Sequence, residues 1–141
     1  MWRVVLDTSV LIAGLRSRNG ASFALLRLIA SQNVRPLVTT ALFLEYEAVL
    51  RRPEHRAVHE LSIVDLDRLM AGLAALAEPV EVHFLWRPQL AGPKDEMVLE
   101  AAINGRADAL VTHNVKDFRG AAGRFSVKVA TPAQFLEGLR I

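Results

Sequence analysis

Residues 4–12 have the sequence Val-Val-Leu-Asp-Thr-Ser-Val-Leu-Ile, and this stretch decides the fold class. Three apolar residues, Val4 to Leu6, have the pattern of a short buried strand that ends at Asp7. Asp7 and the two hydroxyl residues after it are residue types preferred at helix N-termini. The apolar residues that follow then continue the pattern of a first helix. A strand that passes directly into a helix is the repeating unit of an α/β protein.

Strand and helix patterns alternate through the rest of the chain. Capping boxes at Ser62–Asp65 and Thr131–Gln134 mark two helix starts, the second with Pro132 at the first helical position. We predict helices over residues 21–32, 41–51, 66–76, 95–103 and 132–139, and strands over residues 36–39, 80–84, 107–112 and 127–129. This order predicts a three-layer α/β/α, Rossmann-like fold with a central parallel sheet, formed by residues 1–141 as a single domain.

Composition excludes several classes of protein. The chain of 141 residues is 52% hydrophobic and 23% charged, which predicts a packed core. It has no cysteine, so disulfides and thiolate metal sites are excluded. The net charge is +2, with 14 arginines among 17 basic residues, which permits a nucleic-acid partner without requiring one. The apolar runs are too short for a membrane span and Asp7 interrupts the first of them, so we expect a cytoplasmic protein.

Acidic residues are predicted to meet at one edge of the sheet. Asp7 follows the first strand, Asp117 follows the strand over residues 107–112, and Asp95 opens a helix that returns to the same edge. On the helix over residues 41–51, Glu45 and Glu47 lie on opposite rims of the apolar face, and periodicity does not choose between them. Each acid alone has an ordinary explanation as a cap, a turn residue or a solvated side chain. Together they repel one another, and a divalent cation such as Mg²⁺ or Mn²⁺ relieves that repulsion.

Four motifs in order carry a family resemblance. They are Val-Val-Leu-Asp7-Thr-Ser-Val-Leu, Glu45-Tyr-Glu-Ala-Val-Leu, Pro-Lys-Asp95-Glu-Met-Val-Leu-Glu-Ala-Ala, and Ala-Asp-Ala-Leu-Val-Thr112-His-Asn114-Val-Lys-Asp117-Phe. Together with the closing Thr-Pro-Ala-Gln-Phe-Leu, they resemble a PIN domain over essentially the whole chain. The chain is similar to the VapC-type toxins of bacterial toxin–antitoxin pairs.

The resemblance implies a Mg²⁺- or Mn²⁺-dependent endoribonuclease that hydrolyses RNA phosphodiester bonds, with an antitoxin protein as partner and a homodimer as assembly. The implied catalytic and metal-binding residues are Asp7, Glu45, Asp95 and Asp117. The implied contacts to these carboxylates or to phosphate are Thr8, Ser9, Thr112, His113 and Asn114, and the implied RNA-binding residues are Arg16, Arg18, Lys94 and Lys116. The chain departs from many relatives at two positions: His113 replaces a glycine, and Asn114 replaces an acid.

Other functions fit the sequence less well. A PIN-fold module that binds RNA or a protein without cutting is the main alternative. His55 and His59 share the spacing of a helical zinc pair, but no third ligand lies near them in sequence. Haloacid-dehalogenase phosphatases need a second aspartate where Ser9 stands, and response-regulator receivers need an acidic pair after the first strand. Trp2 and Trp86 are too few for a base-stacking platform.

Overall fold

The computed structural model describes residues 1–83 and 92–139, which form a parallel sheet surrounded by helices. The strands are β1 (Trp2–Leu6), β2 (Val34–Val38), β3 (Glu78–Pro79), β4 (Ala109–Val111) and β5 (Val129–Ala130). The helices of the described residues are α1 (Thr8–Arg16), α2 (Ala21–Ala30), α3 (Thr40–Leu50), α4 (Pro53–His59), α5 (Ile63–Leu76), α6 (Pro93–Gly105), α7 (Val115–Arg124) and α8 (Pro132–Gly138). The predicted α/β class is confirmed.

The central strands are buried on both faces, which is why they are apolar without alternation. All three consecutive residues from Val4 to Leu6 are buried, and so are all three residues of β4. In a strand successive side chains point to opposite faces, so helices must cover the sheet on both sides. β1 and β4 pair in parallel, with Val4 opposite Ala109 and Leu6 opposite Val111. The hydrophobic core is therefore built around this pair of strands.

One predicted strand is wrong, and two helices were missed. Residues 80–83 do not form the predicted strand, because the partner strand β2 ends at Val38 and α3 begins two residues later. The Val80 N–H still donates to the Val38 carbonyl at 2.9 Å, and there the pairing stops. Phe84, the last residue of that prediction, lies outside the described residues. The missed helices are α4, which buries no residue, and α7, which contains two glycines.

The order of the strands locates a topological switch point. The sheet has the order β3-β2-β1-β4-β5, so the chain runs from β1 to β3 in one direction and then continues on the other side of β1. In open parallel sheets, ligands bind outside the carboxyl ends of the strands at the point where this direction reverses. Here that point lies between the carboxyl ends of β1 and β4. Asp7 immediately follows β1 at this point, and its N–H donates to the Val111 carbonyl at 2.9 Å.

Helix starts follow local chemistry that the sequence predicted. The Ser62 hydroxyl accepts from the Asp65 N–H at 3.0 Å, and Thr131 and Gln134 form a complete capping box before α8. Within residues 1–83 and 92–139, every helix is too short or too polar to cross a membrane.

Candidate functional site

Asp7 is held by two hydroxyl groups at the switch point. Asp7 is only 7% exposed, and its Oδ2 accepts from Ser9 Oγ at 2.8 Å and from Thr112 Oγ1 at 2.7 Å. The Asn114 N–H donates to the same Thr112 oxygen at 2.9 Å. Asp7 occupies the N-cap position of α1, yet its carboxylate makes no capping bond. Helix capping therefore does not explain why an acid stands here.

Tyr46 fastens α3 to the end of β1, and sequence reasoning missed it. Its hydroxyl is buried and donates to the Leu6 carbonyl, the residue directly before Asp7. Burial raises the pKa of Tyr46, and the nearby charge of Asp7 raises it further. The phenol therefore stays neutral and remains a hydrogen-bond donor. A tyrosine on the apolar face of a helix, beside a predicted site residue, was the available signal.

α6 brings Asp95 towards the same edge. The helix packs against β1, β2 and β4, and it begins at Pro93 with Gly92 as N-cap, two residues before the predicted start. Asp95 therefore lies inside the first turn and is not the cap that its alternative explanation required. Burial raises the pKa of Asp95, and the charges of Asp7, Asp117 and Glu96 raise it further. Burial and these three like charges therefore all disfavour the ionised form of Asp95.

Glu96, the residue after Asp95, is an acid that sequence reasoning missed. It is buried on α6 beside Asp95, in a segment where apolar residues surround two glutamates. The signal available in the sequence was an acid directly after Asp95, at the start of an apolar run. Its charge adds to the negative potential around Asp95.

The two glutamates of α3 point to different surroundings. Glu45 is 15% exposed, and its Oε1 lies 3.5 Å from Lys94 Nζ on α6. That oxygen is buried and accepts no hydrogen bond from the described residues. Glu47 instead lies 3.7 Å from Arg51 one turn later on the same helix, and Arg51 also pairs with Asp67. The structure thus turns Glu45 towards α6, a choice that periodicity could not make.

The other predicted residues make no described hydrogen bond to Asp7, and most of them are exposed. Asp117 is exposed in the first turn of α7, where its N–H donates to the Asn114 carbonyl at 3.0 Å. Asn114 is the exposed N-cap of that helix, without a side-chain capping bond. Thr8 begins α1, and no described hydrogen bond joins its side chain to Asp7. Arg16, Arg18, Lys94 and Lys116 are exposed.

His113 connects the loop after β4 to both α1 and α2. Its N–H donates to Ser9 Oγ at 3.3 Å, and its ring Nε2 lies 2.8 Å from Ser22 Oγ. Ser22 is 3% exposed and was not singled out from the sequence. Nothing in the sequence pattern pairs residues 22 and 113, because the contact depends on how α2 packs against α1.

The candidate ligand atoms are of the type that hard divalent cations prefer. The candidate ligands are all carboxylate oxygens, which Mg²⁺ and Mn²⁺ prefer, and the buried Glu45 oxygen is still without a hydrogen bond from the described part of the chain. As the side chains lie, no three His, Asp or Glu residues among the described ones are gathered closely enough to hold a metal. The acids approach one another at this edge, but they do not form a closed ligand cage.

A family model for the PIN domain matches residues 3–116, which is most of the chain. The chain belongs to the PIN domain family. The matched region contains Asp7, Glu45, Asp95 and Asn114 and ends one residue before Asp117. Comparison with the curated proteins finds no significant match.

Solved structures share this PIN fold at low sequence identity. One is VapBC2 from Rickettsia felis bound to a DNA fragment from its promoter, with 15% identity, a TM-score of 0.59, and coverage of 92% of this chain and 98% of the other. Another is FitAB bound to an IR36 DNA fragment, with 19% identity, a TM-score of 0.54, and coverage of 92% and 94%. At these identities the likeness establishes the fold alone.

Proposed function

We propose that this PIN domain is a Mg²⁺- or Mn²⁺-dependent endoribonuclease and the toxin of a type II toxin–antitoxin pair. PIN domains are generally nucleases, and the chain belongs to that family. The observation that carries the proposal is the buried Asp7 carboxylate at the switch point, whose charge, with that of Asp117, raises the pKa of Asp95. Converging carboxylates at the ligand-binding edge of a parallel sheet are the arrangement that a divalent cation relieves.

Asp7, Glu45, Asp95 and Asp117 would hold the metal. When bound, a divalent cation lowers the pKa of a coordinated water and neutralises charge on the phosphate. The protein's contribution is to orient the carboxylates. Ser9 and Thr112 both donate to Oδ2 of Asp7, and no described group donates to Oδ1. The carboxylate is thus fixed through one oxygen, and the other remains as a ligand.

Lys94 balances the charge of Glu45 in this structure. Its ammonium lies 3.5 Å from Glu45 Oε1, and half of the lysine side chain is exposed. An exposed lysine is free to turn outward, so Glu45 can exchange this partner for a cation. Near the acids, the same ammonium is also placed to meet a phosphate oxygen.

The test is cleavage of a mixed RNA pool by the purified protein with Mg²⁺, with Mn²⁺ and with EDTA. We expect metal-dependent cutting whose rate falls more than about 100-fold in Asp7→Asn. Removing a group that only hydrogen-bonds a metal ligand already lowers activity by about 10–100-fold, and removing the ligand itself should lower it further. Asp65→Asn, at an exposed position on α5, is the matched control and should cut normally. Cutting that survives in Asp7→Asn or in EDTA would overturn the proposal.

Glu45→Gln and Glu47→Gln form a second matched pair in the same assay. Because Glu45 faces Lys94 on α6 and Glu47 faces Arg51 on its own helix, only Glu45→Gln should remove metal-dependent activity. Loss from Glu47→Gln alone would show that the site uses the other rim of α3.

The alternative function is a PIN-fold module that binds RNA or protein without cutting. What favours it is that the described acids are not gathered into a group of three that holds a metal as placed. Titration calorimetry with Mn²⁺ separates the two functions. A nuclease should show metal binding that Asp7→Asn abolishes, whereas a binding module should show none that depends on this carboxylate.

An antitoxin partner, a homodimer and a cytoplasmic location belong to the same proposal. The solved VapBC2 and FitAB structures are each described as bound to DNA, and this chain shares their fold. Light scattering on the purified chain, alone and after co-expression with the protein encoded next to it, measures both assemblies. We expect a dimer alone and a larger hetero-complex after co-expression.

A further inference from the structure

One face of α1 forms the wall of a cavity that begins beside Asp7. Ser9, Ile12, Ala13 and Arg16 have the spacing i, i+3, i+4 and i+7, so they lie along a single helix face. With His113 across from them, they line a cavity of about 260 Å³. None of these lining residues is acidic, in contrast to the carboxylates next to it.

The His113 wall of this cavity is fixed in place at two points. The backbone N–H of His113 bonds Ser9 Oγ, and its ring Nε2 bonds the buried Ser22 hydroxyl. Ser22 reaches the ring because α1 and α2 pack closely at Gly14, where an added Cβ would lie 2.5 Å from Leu26 Cδ1. With Nε2 engaged, Nδ1 is the ring nitrogen that a ligand in the cavity can meet.

We propose that this cavity binds a backbone phosphate of the RNA strand, with the Arg16 guanidinium and the His113 ring as its donors. The inference rests on the proposed nuclease function and adds a substrate contact to it. Arg16 lies seven positions after Ser9, which is about 10 Å along a helix. Ser9 bonds Asp7, so the phosphate at Arg16 is a neighbour of the one that faces the carboxylates, not that phosphate itself.

The charge of the site explains why such a contact is needed. The carboxylates repel a polyanion, and a metal ion offsets that repulsion only at the phosphate it contacts. A guanidinium beside the next phosphate attracts the RNA and offers a planar pair of donors to the phosphate oxygens. Arg16 is exposed at the last turn of α1 and so can reach a strand that lies over this edge.

Binding of a fluorescent single-stranded RNA of mixed sequence, in EDTA and across a range of salt concentrations, tests the contact without cleavage. Arg16→Ala should raise the Kd about 5- to 10-fold and reduce the slope of log K against log salt by about 0.7, the value for one phosphate on a single strand. Arg16→Lys should keep the slope, since it keeps the charge. It should bind more weakly than wild type, because an ammonium lacks the paired donors of a guanidinium. His113→Ala should raise the Kd with a smaller change in slope.

Arg27→Ala is the matched control, because Arg27 is an exposed arginine in the last turn of α2, the helix that also carries Ser22. It removes the same charge and should leave Kd and slope unchanged. Equal effects of Arg16→Ala and Arg27→Ala, or no effect of Arg16→Ala, would overturn the phosphate contact. RNA binding that depends on Arg16, without cleavage in Mg²⁺, would instead overturn the nuclease and leave the contact standing.

Discussion

At the scale of single residues, the site depends on hydroxyl groups that orient one buried carboxylate. Thr112 is fully buried, and its hydroxyl both donates to Asp7 and accepts from the Asn114 N–H. Its side chain therefore joins Asp7, at the end of β1, to the backbone of the loop after β4. A buried hydroxyl that makes both of its hydrogen bonds stabilises the fold. Removing it leaves its buried partners without hydrogen bonds, which lowers the free energy of unfolding.

Thr112→Val tests this role because valine keeps the shape and removes both bonds. We expect a loss of about 1–3 kcal/mol in the free energy of unfolding, measured by urea denaturation. Metal-dependent cleavage should fall by about 10–100-fold, as for other groups that orient a ligand. Thr40→Val is the control, since Thr40 is exposed on α3. Equal behaviour of the two variants would contradict the role assigned to Thr112.

At the scale of elements, α6 places an acid where its ionised form is disfavoured. Its first turn places Asp95 where burial and the charges of Asp7, Asp117 and Glu96 all oppose ionisation and raise the pKa of Asp95. A helix N-terminus normally favours an acid. Here burial and the surrounding acids outweigh that benefit, and such perturbed carboxyl groups are typical of functional sites.

Asp95→Asn should therefore raise the stability of the metal-free protein while abolishing cleavage. Because Asp95 is only partly buried and solvent screens its charge, we expect a gain below about 1 kcal/mol, or at most roughly 2–4 °C in Tm by calorimetry in EDTA. Asp65→Asn is a close match, because Asp65 is also the third residue of its helix but is exposed. That control should lose a few tenths of a kcal/mol. A loss of stability in Asp95→Asn would show that its carboxylate supports the fold instead.

At the scale of the whole molecule, three strands are tied together by one ionic cluster outside the site. Arg3 on β1 pairs with Glu78 on β3, across the intervening strand, and Arg35 on β2 lies 3.6 Å from the same carboxylate. The Arg3 guanidinium, through its hydrogen bond, lowers the pKa of Glu78 below the usual glutamate range. Since the folded state then binds this proton more weakly than the unfolded chain does, the contribution is present at neutral pH and is lost on acidification.

Glu78→Gln measures that contribution. The pair is partly exposed, so we expect the variant to be less stable than wild type at pH 7 by about 0.5–1 kcal/mol. The difference should shrink as the pH falls below about 4, when Glu78 of the wild type takes up its proton. Urea denaturation at a series of pH values tests this, and a difference that does not change with pH would contradict it.

Local chemistry determined much of this protein from sequence alone. Short apolar runs predicted β1 and β4 because a strand buried on both faces needs no polar alternation. Ser62 and Thr131 predicted helix starts because a hydroxyl can accept the first free N–H groups of a helix. The family followed from four motifs in order, and the PIN domain match confirms it.

Only the tertiary structure decided how these elements meet. The strand order places Asp7 at the switch point, and the packing of α3 against α6 turns Glu45, not Glu47, towards Lys94. The Ser22–His113 contact and the Tyr46 bond to Leu6 join residues far apart in sequence. Periodicity reports which face of an element is buried. Which other element covers that face depends on long-range packing, which no local pattern encodes.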